Sequence, residues 1–266
     1  MRICILGGRG VVGGYLSQAL SVKHTVTSVT RDQVDLMDTV AVDQFFRNNV
    51  FDVVINCAIN PNSQMTATTQ VATDNLTIFA NMYACRNQFG RVLQFCSGAE
   101  FDRRRSLDII NESELITSYP VDPYGLAKNS AARISLSTDN FYNLRLFGVF
   151  FPTEVARRLL PKILSNSPIS LEDKYFDYLY LEDLLPLVEY YIDTVNPIHK
   201  DINVVYQEKQ LLSEFVSQFC RIHNIDSQQI TIDTHSTLNY TGDGSRWAEL
   251  DLPKLGQHTG MKRYIK

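Results

Sequence analysis

The sequence has no paired cysteines, no long apolar run, no excess of positive charge and no internal repeat, and each absence removes a class of protein. Its five cysteines, Cys4, Cys57, Cys85, Cys96 and Cys220, are odd in number and scattered without a Cys-x-x-Cys spacing. They read as buried thiols in a reducing compartment, not as a disulfide scaffold. No apolar stretch approaches the roughly 20 residues that span a bilayer, and the first, from Ile3 to Leu6, is too short for a signal peptide. The expected setting is therefore the cytoplasm, with no membrane partner. A net charge of -4 gives no general attraction to nucleic acid, so an anionic ligand has to be held by local basic groups. His24, His199, His223, His235 and His258 show no metal-ligand spacing, and no metal is expected.

What is present is the raw material of a layered α/β protein. With 266 residues, 44% of them hydrophobic, the chain can bury one substantial core. Short β-rich runs at residues 2–6, 25–30, 52–57, 91–96 and 143–147 are separated by helix-length stretches, the pattern of a parallel sheet with helical crossovers. Val53, Val54 and Ile55 form a run, as do Val92, Leu93 and Phe95, which suits strands covered on both faces. Later the pattern loosens. An amphipathic helix is expected over 153–166, a Leu/Tyr-rich stretch covers 178–192, and a strand-like segment follows at 201–206. A helix over 210–222 would place Leu211, Leu212, Phe215, Val216 and Phe219 on one face.

Gly7-Gly8-Arg9-Gly10-Val11-Val12-Gly13 occupies the turn from the first strand into the first helix. Gly7, Gly10 and Gly13 allow a tight turn and a close approach of backbone to a pyrophosphate, and the helix start at Val11 and Val12 offers unpaired N–H groups to it. A glycine-rich turn without a ligand is the alternative, but the position at the head of a β-α-β pattern favours the dinucleotide. The expected fold is thus a Rossmann-type, doubly wound parallel sheet. Residues 1–150 would form it, completed by 177–207, with 151–176 and 208–266 as a smaller C-terminal lid.

The second strand ends in Thr30-Arg31, where an NAD enzyme would carry an acid on the ribose. Arg31 and Arg9 together could clamp a 2'-phosphate, so NADP(H) is expected in preference to NAD(H). The competing reading is that Arg31 pairs with the adjacent Asp32. Further on, Tyr124-Gly125-Leu126-Ala127-Lys128 places an ammonium one helical turn from a phenol. A cation beside a phenol stabilises the phenolate, so such a hydroxyl can give and take back a proton. Ser97 ends the fourth strand at the carboxyl edge of the sheet and could hydrogen-bond a substrate oxygen while Tyr124 moves the proton. The plainer readings are a turn hydroxyl for Ser97 and a solvated helix surface for Lys128.

The glycine loop, the stretch 30–38, Asn56-Cys57-Ala58, the helix with Asn75 and Asn81, Ser97, and segments 124–128, 144–149 and 180–184 together resemble the extended short-chain dehydrogenases/reductases. The resemblance is to their nucleotide-sugar branch, which includes GDP-fucose synthase and dTDP-dehydrorhamnose reductase. It implies that Arg9 and Arg31 hold the NADP phosphate, that Asp35 and Leu36 line the adenine site, and that Cys57, Ala58 and Ile59 form the ribose wall with Asn75 among the cofactor residues. Phe147 and Val149 would flank the nicotinamide, and Lys128 would also bond its ribose. A nucleotide-sugar substrate, a C-terminal region that binds it and a homodimer are implied as well.

Departures from the family pattern narrow the chemistry. Where GDP-fucose synthase carries a cysteine acid two places after the serine, this chain has Ala99, and the Thr-Asp-Glu of the sugar-nucleotide dehydratases is replaced by Ser97-Gly98-Ala99. Glu100 is one place further along and is expected to face the other way if the strand continues. That leaves Ser97, Tyr124 and Lys128, with Ser97 and Ala99 on the substrate side. The expected reaction is NADPH-dependent reduction of a nucleotide-linked 4-keto-deoxysugar, in deoxysugar or surface polysaccharide biosynthesis. A nucleotide-sugar epimerase with retained cofactor and a non-catalytic NADP-binding sensor are the alternatives. Segment 240–246 resembles the family's late Asp-x-x-Ser-Arg/Lys stretch, which implies Arg246 at the diphosphate; Asp243 as a helix cap with Arg246 paired on the surface is the other reading.

Overall fold

The computed structural model describes residues 1–60, 68–235 and 238–264. Ile3, Cys4, Ile5 and Leu6 are fully buried and make up most of strand β1 (Arg2–Leu6). The chain continues through α1 (Val11–Leu20), β2 (Thr25–Val29), α2 (Thr39–Asn48), β3 (Phe51–Asn56), α3 (Thr69–Ala84), β4 (Phe89–Ser97), β5 (Leu107–Ile110), α4 (Pro123–Leu136) and β6 (Phe141–Leu146). After these come β7 (Gly148–Phe150), α5 (Leu159–Leu164), β8 (Ile169–Glu172), β9 (Tyr178–Tyr180), α6 (Leu184–Asp193), β10 (Asp201–Asn203), α7 (Leu212–His223), β11 (Ile230–Asp233), β12 (Tyr240–Gly242), α8 (Ser245–Glu249) and α9 (Gly256–Arg263).

Six strands form one parallel sheet in the order β10-β6-β4-β3-β1-β2, the Rossmann-type architecture that the strand runs announced. β1 is the pivot, with Arg2 opposite Thr25 of β2 on one side and Ile3 opposite Val53 of β3 on the other. The first crossover runs from β1 to β2 on one side and the next returns past β1 to β3 on the other, so the carboxyl ends of β1, β2 and β3 open a crevice at the switch point, where such sheets bind ligands. The runs Val53, Val54 and Ile55 in β3 and Val92, Leu93 and Phe95 in β4 are buried as expected, because helices cover a parallel sheet on both faces.

Two compact units divide the chain. The first comprises Met1–Asp102, Ser113–Arg145 and Val188–Ile202; the second comprises Arg103–Glu112, Leu146–Leu187 and the chain from Asn203 onward. In the first, Cys4, Leu6, Val54, Phe79, Met82 and Val92 share one apolar core. The second packs Phe150, Tyr180, Phe215, Phe219, Met261 and Tyr264 together beside three two-stranded parallel pairs, β5 with β12, β7 with β9, and β8 with β11.

Outside the sheet the sequence is less direct. The helix expected over 153–166 shrinks to α5, six residues long. Pro161 has no N–H to donate and fits only a first helical turn, while the Arg158 guanidinium bonds the Val149 carbonyl and pairs with Glu154 at 2.6 Å, holding the preceding residues in a turn. The strand-like 201–206 keeps only its first three residues as β10. Among the described residues, no helix is long and apolar enough to cross a membrane.

Candidate active site

The crevice at the switch point is a cavity of about 750 Å³, lined by the glycine loop, the end of β2 and the residues just after β3. Gly7 has φ +82°, a conformation that side chains disfavour, and a Cβ there would lie 2.9 Å from the backbone of Ala58. At Gly13 a Cβ would strike the Gly7 carbonyl. The loop is therefore packed on itself and on the end of β3 as only glycine permits. Gly10 is the N-cap of α1 and gives it no side-chain cap, so no capping side chain satisfies the N–H groups of the helix's first turn.

Arg31, Asp35, Leu36, Cys57, Ala58 and Ile59 line this cavity with Gly7, Arg9 and Gly10. Arg31 does not pair with Asp32. Instead Arg9 pairs with Asp32, and Arg31 reaches Asp35 at 3.4 Å. The two guanidinium side chains are 71% and 76% exposed, so both pairs are weak. Asn75 is buried and supports the cavity wall, accepting from the Asn60 N–H at 2.9 Å and donating to the Val71 carbonyl at 2.8 Å. Six residues on, Asn81 donates to the Leu36 carbonyl at 2.9 Å. Cys57 is half-buried; desolvation pushes its thiol up to about 12, offset in part by the Lys128 ammonium.

Ser97 is the last residue of β4, and the chain then turns sharply through Gly98, Ala99 and Glu100. The Ser97 hydroxyl oxygen accepts from the Ala99 N–H at 3.2 Å, which leaves the hydroxyl hydrogen as the group that can donate. Glu100 points inward, but not because the strand continues. The turn closes as a capping box in which the Glu100 carboxylate accepts from the Ser97 N–H at 2.9 Å, and its other oxygen accepts from Arg145 Nε at 2.7 Å.

Asp122 caps α4 by accepting from the Gly125 N–H at 2.8 Å, with Pro123 at the first helical position. Tyr124 follows in the first turn, half-buried. Lys128, one turn further, is 7% exposed and donates to the Phe95 carbonyl of β4 at 2.9 Å. Gly125 brings helix and turn together, since a Cβ there would strike the Ala99 carbonyl. Buried Asn129 then ties α4 to the same turn by donating to the Glu100 carbonyl at 2.9 Å. Gln94, buried in β4, accepts from Asn56 at 2.9 Å and lies beside the Phe95 carbonyl that anchors Lys128. Asn129 and Gln94 were not singled out by the sequence. The only signals were adjacency to Lys128 and an amide inside an apolar run.

The glycine loop, Arg9, Arg31, Ser97, Tyr124 and Lys128 all belong to the first unit, whereas Phe147, Val149 and Arg246 belong to the second. There the Phe147 ring lies 4.9 Å from that of Tyr240, and Gly242 is required beside it because a Cβ would meet the ring at 2.7 Å. Asp243 accepts from the Ser245 N–H at 2.9 Å, and Arg246 pairs with Glu112 at 3.4 Å.

A search of curated proteins finds no match. Solved structures do match along nearly the whole chain. A GDP-mannoheptose C4 reductase from Campylobacter jejuni with NADP bound is similar at TM-score 0.81 and 20% identity, covering 99% of this chain and 96% of that one. A dTDP-4-dehydrorhamnose reductase ortholog from Clostridium acetobutylicum gives 0.83 and 17%, covering 99% and 98%. A GDP-L-fucose synthetase from Naegleria fowleri bound to NADP gives 0.82 and 14%, covering 99% and 92%. At these identities the likeness is one of fold. The model of the NAD-dependent epimerase/dehydratase family matches residues 3–204, most of the sequence, and the chain belongs to that family.

Proposed function

We propose that this enzyme reduces a nucleotide-linked 4-keto-deoxysugar with NADPH, in deoxysugar or surface polysaccharide biosynthesis. The observation that carries the reading is the fate of Glu100: the one carboxylate of the Ser97 turn is buried in an ion pair with Arg145, and Ala99 supplies no acid. A dehydratase or an epimerase working through a carbanion needs a further acid or base at the sugar; carbonyl reduction needs one proton donor and one oxygen-binding group. The similar structures include a C4 reductase and a 4-dehydrorhamnose reductase, and the former is NADP-bound.

The residues fit the cofactor. Gly7, Gly10 and Gly13, with the start of α1 at Val11 and Val12, would cradle the pyrophosphate, and Arg9 and Arg31 would take the 2'-phosphate in place of Asp32 and Asp35. Asp35, Leu36, Cys57, Ala58, Ile59 and Asn75 would line the adenosine side, and Phe147 and Val149 the nicotinamide side. When bound, the reduced nicotinamide supplies hydride. Tyr124 gives its phenolic proton to the carbonyl oxygen as that oxygen becomes an alkoxide, and Ser97 donates a hydrogen bond to the same oxygen. Lys128, fixed by the Phe95 carbonyl, stabilises the phenolate that Tyr124 leaves behind. The second unit is assigned to the sugar nucleotide. Free thiols at all five cysteines support work in the reducing cytoplasm.

The test is a panel of dTDP- and GDP-linked 4-keto-6-deoxyhexoses incubated with NADPH and followed by its absorbance. The expected result is stoichiometric NADPH loss with one member, abolished by Tyr124→Phe while NADPH binding is kept. Conversion of a sugar nucleotide without net NADPH loss would replace the reading with an epimerase, and full activity in Tyr124→Phe would end it.

A further inference from the structure

Glu100 and Arg145 are both fully buried, and neither faces the cavity. Arg145, on β6, donates to Glu100 at 2.7 Å and reaches the two oxygens of Asp201 on β10 at 2.9 and 3.2 Å. Its guanidinium also stacks 5.1 Å from the Phe101 ring centre. Burial raises the pKa of Glu100, opposed by Arg145, and although burial disfavours the charge on Arg145, Asp201 and Glu100 more than offset it. Buried ion clusters of this kind are often no more stabilising than apolar residues of the same volume, so what they fix in place is the more informative question. Here one carboxylate oxygen is bound to the cluster and the other to the Ser97 N–H at 2.9 Å. A buried ionic cluster built from two strands of the sheet and the turn after β4 thus ends on the backbone of the proposed oxygen-binding serine.

We infer that Glu100 is a positioning residue for Ser97: by holding the Ser97 N–H against a carboxylate clamped by Arg145 and Asp201, it sets the turn that aims the Ser97 hydroxyl. The inference rests on the role given to Ser97 above. Glu100→Gln leaves two donors, the Ser97 N–H and Arg145 Nε, competing for one amide oxygen, while Arg145 retains Asp201. Glu100→Asp keeps the charge but is one methylene too short to serve both donors.

Both variants are made in the full chain, alone and with Ser97→Ala, and assayed with NADPH and either GDP-4-keto-6-deoxymannose or dTDP-4-keto-6-deoxyglucose, whichever the enzyme reduces. Each alone should lower kcat by about tenfold or more, since small misplacements of reacting groups cost up to roughly a hundredfold, with KM and NADPH affinity within about twofold. In the Ser97→Ala background the same changes should cost less than about twofold, because coupled residues are non-additive. Amide exchange at residues 97–99 should speed up in Glu100→Gln, a readout that needs no turnover. Equal losses in both backgrounds, loss of NADPH binding together with kcat, or unchanged exchange would each overturn the inference. Full kcat in Ser97→Ala alone would instead remove the role of Ser97 and leave Glu100 nothing to position, a failure visible in that single variant.

Discussion

Lys128 is 7% exposed with the Phe95 carbonyl as its anchor, and burying a cation to that extent generally costs free energy that one neutral acceptor does not fully offset. In the proposed mechanism Lys128 in that buried position serves the phenol one helical turn away and not packing. Replacing it by methionine, which fills the same space without the charge, should leave the melting temperature unchanged or higher while lowering turnover by at least about a hundredfold, the scale of a lost acid-base function. A thermal melt and an NADPH-oxidation assay on the same preparation decide the matter; a large loss of stability with little change in rate would make Lys128 structural. The four-residue step from Tyr124 to Lys128 was legible because helical geometry fixes it locally. Gln94 and Asn129 were not, because each acquires its partner from a strand or turn far away in sequence; Glu100 meets the Ser97 N–H only three residues away, but the Arg145 that clamps it lies on a distant strand that no local period announces.

The contact between the start of α4 and the Ser97 turn depends on Gly125. Its neighbours leave no room for a methyl group, with the Ala99 carbonyl in the way, the Asp122 carboxylate at 2.7 Å and Pro120 at 3.0 Å. Gly125→Ala should therefore push the first turn of α4 off the Ser97 turn and destabilise the fold by about 1–3 kcal/mol, as overpacking usually does. Turnover should fall further than stability alone explains, because Tyr124 sits on the displaced turn. Chemical denaturation gives the first quantity, and kcat measured well below the melting temperature gives the second; a variant that melts early but turns over normally would show that the approach is not needed for catalysis. Strands that are buried on both faces were legible as apolar runs, and so was the glycine loop, because sterics alone dictates it. The short elements of the second unit were not. α5 is confined by Pro161 and by a guanidinium that reaches back to the Val149 carbonyl, and β5 and β12 pair across more than a hundred residues, so their structure is tertiary before it is local.

Taken whole, the molecule carries a net charge of -4, which disfavours an anionic cofactor at long range. In the proposed reading, a preference for NADPH over NADH comes from Arg9 and Arg31 at the rim of the cavity, where both are well exposed. An exposed charge cluster acts over a distance set by salt, about 10 Å at 0.1 M and about 3 Å at 1 M. It must also release Asp32 and Asp35 to take up a phosphate bearing nearly two negative charges. The preference for NADPH should accordingly be a salt-sensitive property, while the glycine cradle common to both cofactors should give a less salt-dependent share of binding. Raising sodium chloride from about 0.05 M to about 0.5 M is expected to reduce the ratio of NADPH to NADH affinity several-fold, and the Arg9→Ala, Arg31→Ala double variant is expected to start near equal affinities and stay there. Fluorescence titration of both cofactors at the two salt concentrations measures the ratio directly. A preference that survives high salt, or persists without the two arginines, would place the recognition of the 2'-phosphate elsewhere on the chain.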